Sequence, residues 1–235
     1  MDLLERLAEE PSRAAVLLDV DGVLAPIVAR PEDATVPEAT RAELRRLNAS
    51  YALVACITGR PPADACRLVG VPELTYIGHH GLDLDPETDE WTRRMQMFLA
   101  HVDWKALENK GQSAALHYRN AEDEATAREE LDEIGRQARA AGLRTRYGRK
   151  VLEILPPVDA NKGTAVRSLL TQRRLRRALY AGDDTTDLDA FAALADLELA
   201  VRVAVASDEG PRELRATADL VVRDPADFLS LLRQL

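Results

Sequence analysis

A doubly wound α/β fold with a predominantly parallel sheet is what this 235-residue sequence predicts, and three observations predict it. Short apolar runs of strand length alternate with longer runs of helical pattern. The apolar runs end in polar or charged residues, as buried strands do where they leave a sheet. The alternation pauses near residue 84 and resumes near residue 158, so residues 1–84 and 158–235 together build one core, and residues 85–157 form an α+β insert.

Ala14 to Leu18 is the first strand and runs into Asp19-Val20-Asp21-Gly22. Pro37 to Leu47 opens with proline, carries acids early and bases late, and sets Leu44 and Leu47 on one face, which predicts a helix. Tyr51 to Ile57 is the second strand, followed by Thr58-Gly59-Arg60 and a short helix. Strand, helix, strand in that order implies parallel pairing. In the insert a helix is expected near Met95 to Trp104, and strands at Ala114 to Arg119 and Val151 to Leu155 flank a long charged helix, Glu122 to Ala141. The turn-rich stretches Leu84 to Glu90 and Pro156-Pro157 fit as links. Beyond residue 160 come a helix from about Lys162, a strand at Ala178 to Ala181, a helix near Leu188 to Leu194, and strands at Leu199 to Val205 and Leu220 to Val222.

With 46% hydrophobic residues the chain can bury a full core. Its net charge of -9 offers no basic field for a nucleic-acid backbone, yet a local site can still hold a small anionic metabolite. The charged N-terminal stretch and the absence of a membrane-length apolar run predict a cytoplasmic chain with no membrane partner, and a monomer is expected. Cys56 and Cys66 lie in apolar or helical runs with no metal-ligand spacing and read as reduced thiols.

Ligands of open α/β sheets bind outside the carboxyl ends of the strands, and four such places carry unusual polar groups. Asp19 and Asp21 stand two residues apart, with Gly22 permitting a sharp turn; alone, this reads equally as an ordinary Asp/Gly turn. An EF-hand is disfavoured because the remaining ligands are missing at the required spacing. Thr58-Gly59-Arg60 offers a hydroxyl and a backbone N–H to a phosphate oxygen, or else caps a helix. Lys162 offers an ammonium at a helix start. Asp183, Asp184 and Asp187 crowd three acids into five residues, which a divalent cation such as Mg²⁺ resolves; capping of the next helix is the competing reading.

Taken together, DxDG, TGR, the lysine and GDDxxD resemble the haloacid dehalogenase superfamily of aspartate-nucleophile phosphatases. Within it the chain looks most like the trehalose-6-phosphate phosphatases. Leu18-Asp19-Val20-Asp21-Gly22-Val23-Leu24-Ala25-Pro26-Ile27 matches that family's opening. Gly78-His79-His80-Gly81-Leu82-Asp83 resembles its Gly-x-His-Gly-x-Glu, and Glu108-Asn109-Lys110, His117-Tyr118-Arg119 and Gly148-Arg149-Lys150-Val151-Leu152-Glu153 resemble its cap segments. Departures are Thr58 for serine, Asn161 for the aspartate before the lysine, Asp83 for glutamate and Leu188 for an acid.

The resemblance implies a core typical of the superfamily with an inserted α+β cap acting as a lid, and hydrolysis of trehalose 6-phosphate. Asp19 would be the nucleophile, Asp21 the general acid then base, and Thr58 and Lys162 would assist catalysis. The metal ligands would be Asp19, Asp21 (through its carbonyl), Asp183 and Asp184, around Mg²⁺. Gly59, Arg60, His80, Glu108, Lys110, His117, Arg119, Arg149 and Glu153 would bind the substrate. Another sugar phosphate (sucrose, mannosyl-glycerate or glucosyl-glycerate type) or a silent binding domain are the alternatives.

Overall fold

The computed structural model describes every residue except Met1, Ala29, Pro31, Glu32, Glu122, Arg149 and residues 207–209. It divides into two compact units, one of residues 1–84 and 160–235, the other of residues 85–159.

The first unit is built on a six-stranded sheet. Its strands are β1 (Ala14–Leu18), β2 (Leu53–Ile57), β3 (Thr75–Ile77), β8 (Arg177–Gly182), β9 (Leu199–Val205) and β10 (Leu220–Val222). Their order across the sheet is β10-β9-β8-β1-β2-β3, and every neighbouring pair is parallel. Parallel pairing requires each strand to return over a face, and the helices do this on both faces. In β1, Ala14, Val16 and Leu18 point into one apolar cluster, shared with Leu7 of α1 (Leu3–Ala8), Leu44 and Leu47 of α2 (Glu38–Ser50), Val69 of α3 (Pro62–Val69) and Phe228 of α9 (Pro225–Leu232). Ala15 and Leu17 point the other way, against Val166 and Leu169 of α6 (Lys162–Arg173), Phe191 of α7 (Asp187–Ala193) and Leu214 of α8 (Arg212–Thr217). The alternation is the strand period of two, and burial on both faces explains the unbroken apolar runs.

Strand order reverses between β1 and β8: later strands lie outward on one side of β1, earlier ones on the other. Such a reversal opens a crevice at the carboxyl ends of the strands, because the connections leave in opposite directions. Asp19 leaves β1 and Asp183 leaves β8 at that point.

The second unit holds a four-stranded antiparallel sheet in the order β4-β5-β7-β6, formed by β4 (Leu107–Asn109), β5 (Ala114–His117), β7 (Val151–Leu155) and β6 (Arg144–Gly148). Leu116, Leu152 and Ile154 pack with Met95 and Leu99 of α4 (Thr88–Leu99) and Leu131 of α5 (Glu124–Ala140).

Several boundaries differ from the sequence reading. α4 begins at Thr88, inside the stretch expected to be a link, because Asp85 closes a turn there by accepting from the Glu87 N–H. β5 stops at His117 instead of Arg119, since the Tyr118 N–H goes to the Lys150 carbonyl. Two insert strands, β4 and β6, were not expected: both are short, polar and half-exposed, and carry no apolar run.

Candidate active site

Asp19 extends β1 by one residue, its N–H donating to the Ala181 carbonyl at 2.9 Å. That places its side chain in the crevice, where it is only 5% exposed. One carboxylate oxygen accepts from the Val20 N–H at 2.7 Å, and the other meets Lys162 Nζ at 2.7 Å. Burial pushes the Asp19 carboxyl up to about 7; Lys162 works against that shift and Asp187 adds to it.

Lys162 is the first residue of α6, 2% exposed, and its ammonium lies between Asp19 and Asp187 at 2.7 Å from each. Burial works against its charge, yet the two carboxylates outweigh burial and raise its pKa. Asn161 fixes the helix start: it accepts from the Thr164 N–H at 2.8 Å while Thr164 Oγ1 accepts from the Asn161 N–H at 2.9 Å. This reciprocal cap needs only a short side chain with an acceptor oxygen, so asparagine serves where aspartate was expected.

Asp187 is wholly buried and surrounded by donors. Its Oδ1 accepts from Lys162 Nζ and Tyr180 Oη, each at 2.7 Å, and its Oδ2 accepts from the Asp183 and Asp184 N–H groups, each at 3.0 Å. Both oxygens are thus committed to holding the lysine and the loop after β8.

Asp183 contrasts with it. Its carboxylate lies against Gly22, where a Cβ would come within 2.1 Å of Oδ2, and it accepts no hydrogen bond among the described residues. Burial, then the charges of Asp19 and Asp187, lift its pKa to about 8. Oxygens of Asp19, Asp183 and Asp187 lie within 4.8 Å of one another. Three carboxylates against one ammonium leave surplus negative charge, so this donor set fits a hard divalent cation. Asp19 and Asp183 have the free acceptor capacity; Asp187 does not. Asp184 is turned away: it is exposed, and its Oδ1 accepts from the Thr185 N–H at 2.6 Å.

Asp21, two residues beyond Asp19, faces elsewhere. Arg60 Nε and Nη2 donate to its two oxygens, each at 2.7 Å, a bidentate pair. Thr58 is 1% exposed, and its Oγ1 accepts from the Arg60 N–H at 3.2 Å, so the hydroxyl shapes the loop that carries the guanidinium. The ring of His80 lies over Gly59, where a Cβ would come within 2.5 Å of Nε2. Asp83 accepts from the Gly78 N–H at 2.7 Å and lies 3.0 Å from His79 Nδ1, while Leu188, the second residue of α7, packs half-buried on the core.

In the second unit Glu108, Ala115, Glu153 and Arg146 stand opposite one another in register across all four strands, hence on one face. His117, two residues from Ala115 on that face, has Nε2 3.0 Å from Glu108 Oε2, and Lys110 Nζ lies 3.7 Å from the same oxygen. Arg146 Nε and Nη2 both reach Glu153 Oε2, at 2.8 and 2.6 Å. Arg119 is exposed beyond the end of β5, and Arg149 lies outside the described residues. Of the residues named from sequence, Asp19, Lys162 and Asp183 meet in the first unit, Asp21 pairs with Arg60 beside Thr58, and Glu108, Lys110, His117 and Glu153 share a face of the second, while Asp184 and Arg119 stand apart; Tyr180 and Arg146 were not named. The one sequence signal for Tyr180 is a phenol in an otherwise apolar strand, three residues before Asp183.

Residues 17–224 match the family model described as trehalose-phosphatase. The trehalose-phosphate phosphatase of Mycobacterium marinum is 34% identical over 216 residues, which span 81% of this chain and 54% of that protein. The chain thus covers about half the length of that relative. A crystal structure described as a trehalose-6-phosphate phosphatase related protein superposes with a TM-score of 0.70 at 26% identity, covering 93% of this chain and 95% of the other. A haloacid dehalogenase-like hydrolase from Bacteroides thetaiotaomicron shares the fold, with a TM-score of 0.62 at 13% identity over 94% of this chain and 98% of its own.

Proposed function

The chain belongs to the trehalose-phosphatase family, and from that premise we propose that it hydrolyses trehalose 6-phosphate to trehalose and phosphate, with Asp19 as nucleophile. The observation that carries this reading is the buried meeting of Asp19, Lys162 and Asp183 at the reversal of strand order.

A phosphate monoester is a dianion, and a carboxylate approaching it meets repulsion of several kcal/mol at the effective dielectric of a cleft. Lys162 opposes part of that charge. Mg²⁺, held by Asp19, Asp183 and the backbone carbonyl of Asp21, would supply the remaining positive charge and orient a phosphate oxygen. Asp19 attacks phosphorus, the bond from phosphorus to the sugar oxygen breaks, and an aspartyl phosphate forms. Asp21 gives its proton to the departing sugar oxygen, then takes one from the water that attacks the aspartyl phosphorus, releasing phosphate and restoring Asp19. The Arg60 fork takes one lone pair on each oxygen of Asp21, which leaves a second for a proton, and so orients the carboxyl.

The row Glu108, Ala115, Glu153, with Lys110 and His117, supports a sugar-reading role for the second unit, because carboxylates spaced along one face suit hydroxyl donors. We include Arg119 and Arg149 in that role on the family pattern alone. A sugar phosphate is the expected partner, and the net charge of -9 speaks against a nucleic acid. A monomer acting in the cytoplasm remains part of the expectation.

The test is phosphate release from a panel of sugar phosphates, with Mg²⁺ and with chelator. Preference for trehalose 6-phosphate that vanishes with chelator is the expected result. Magnesium-dependent release from a different sugar phosphate would retain Asp19 and overturn the substrate; release from none would overturn the enzymatic reading.

A further inference from the structure

Three consecutive residues of the segment after β3 have left-handed backbones: His79 at φ 48°, His80 at φ 57° and Gly81 at φ 100°. For a side chain larger than glycine, asparagine or aspartate this conformation costs roughly 1 kcal/mol or more, and two adjacent histidines in it are held there by something. Asp83 takes the Gly78 N–H on one oxygen and lies against the ring of His79, itself only 7% exposed, with the other. The turn so formed aims its own N–H groups at the neighbouring loop: His79 N–H donates to the Arg60 carbonyl at 3.2 Å and His80 N–H to the Thr58 carbonyl at 2.9 Å. The His80 ring lies over Gly59, between those two acceptors in sequence. Thus the backbone of Thr58-Gly59-Arg60 is held at Thr58 and Arg60 with the His80 ring against Gly59, and the guanidinium it carries is the fork on Asp21.

We propose that His79 and Asp83 are positioning residues for proton delivery: they pin the left-handed turn, the turn fixes the Arg60 backbone, and Arg60 sets where Asp21 stands. This rests on the phosphatase reading and adds to it a second layer behind the acid. Neither His79 nor Asp83 touches substrate in this scheme, so the effect is on the acid step, not on phosphate chemistry at Asp19. Misplacing a reacting group by about 1 Å costs on the order of 100-fold, and general acid catalysis is itself worth 100-fold or more, roughly. An alkoxide leaving group needs the proton; a nitrophenolate scarcely does.

The experiment compares Asp83→Asn and His79→Asn with wild type, asparagine at position 79 being tolerated in the left-handed region. Two readouts are taken. Amide hydrogen exchange at His79 and His80 reads the grip directly, without activity. The value of kcat/KM for a sugar phosphate and for 4-nitrophenyl phosphate reads the acid step, since it reports events up to departure of the leaving group. Expected are faster exchange at both amides and a fall of roughly 10- to 100-fold on the sugar phosphate, with a smaller fall on the aryl ester. Asp83→Glu, which keeps a carboxylate, should recover part of both. Unchanged exchange overturns the pin; faster exchange with equal losses on the two esters overturns the link to proton delivery. If wild type hydrolyses neither ester, the phosphatase reading fails, and with it the acid-step role, while the exchange data still decide the pin.

Discussion

Replacing Asp187 by asparagine should destabilise the chain severely even when no metal is present, because its two oxygens satisfy four donors in a site with no water access. An amide has one acceptor oxygen. Whichever way it turns, its NH₂ confronts either Lys162 and Tyr180 or the N–H groups of Asp183 and Asp184. Two buried donors left without acceptors cost about 1–3 kcal/mol each, and the buried ammonium loses one of its two counter-charges. Relief of repulsion on Asp19 and Asp183 returns part of this, so a net loss of about 3–5 kcal/mol is expected, as for other broken buried ion pairs. At roughly 2–4 °C per kcal/mol for a chain of this size, the midpoint should fall by about 6–20 °C. Calorimetry in chelator measures it, with Asp184→Asn as control, whose exposed side chain should change stability by no more than about 0.5 kcal/mol. If the two variants unfold together in chelator, Asp187 is not a scaffold but acts only through a bound cation, and the reasoning fails.

Stability in chelator should decline as pH rises. Asp19 and Asp183, with ordinary values of 3.8, are raised to about 7 and about 8, so the folded chain binds the extra protons in that window and loses their contribution as each titrates. A midpoint that is flat or rising from acid to pH 8 would contradict this, and Mg²⁺ should flatten the decline. Asp19→Asn, nearly isosteric, should abolish turnover while leaving circular dichroism unchanged; full activity would remove Asp19 as nucleophile. Glu153→Gln should raise KM or lower kcat for the disaccharide phosphate and spare a small aryl phosphate, equal loss on both arguing against sugar reading.

The inner strands of the six-stranded sheet were legible because burial on both faces demands continuous apolar runs, and Ala14 to Leu18 or Leu199 to Val205 can hardly be anything else, whereas the three-residue edge strand β3 carries no such run and was missed. The acids at their ends were legible for the same reason: charge stands out against such runs. β4 and β6 were not, because edge strands half open to water carry no obligatory pattern.

What the sequence determined by itself, then, was which residues could do chemistry and that the sheet would gather them at strand ends. Only the tertiary structure decided what each one faces. Asp19 and Asp21 are alike in sequence and two residues apart, yet one meets a buried lysine from α6 and the other an arginine from the loop after β2. Asp183 and Asp187 part in the same way, one accepting nothing among the described residues and the other four donors. A carboxylate's role follows from its neighbours' charges and its access to water, and those come from elements far away in the chain.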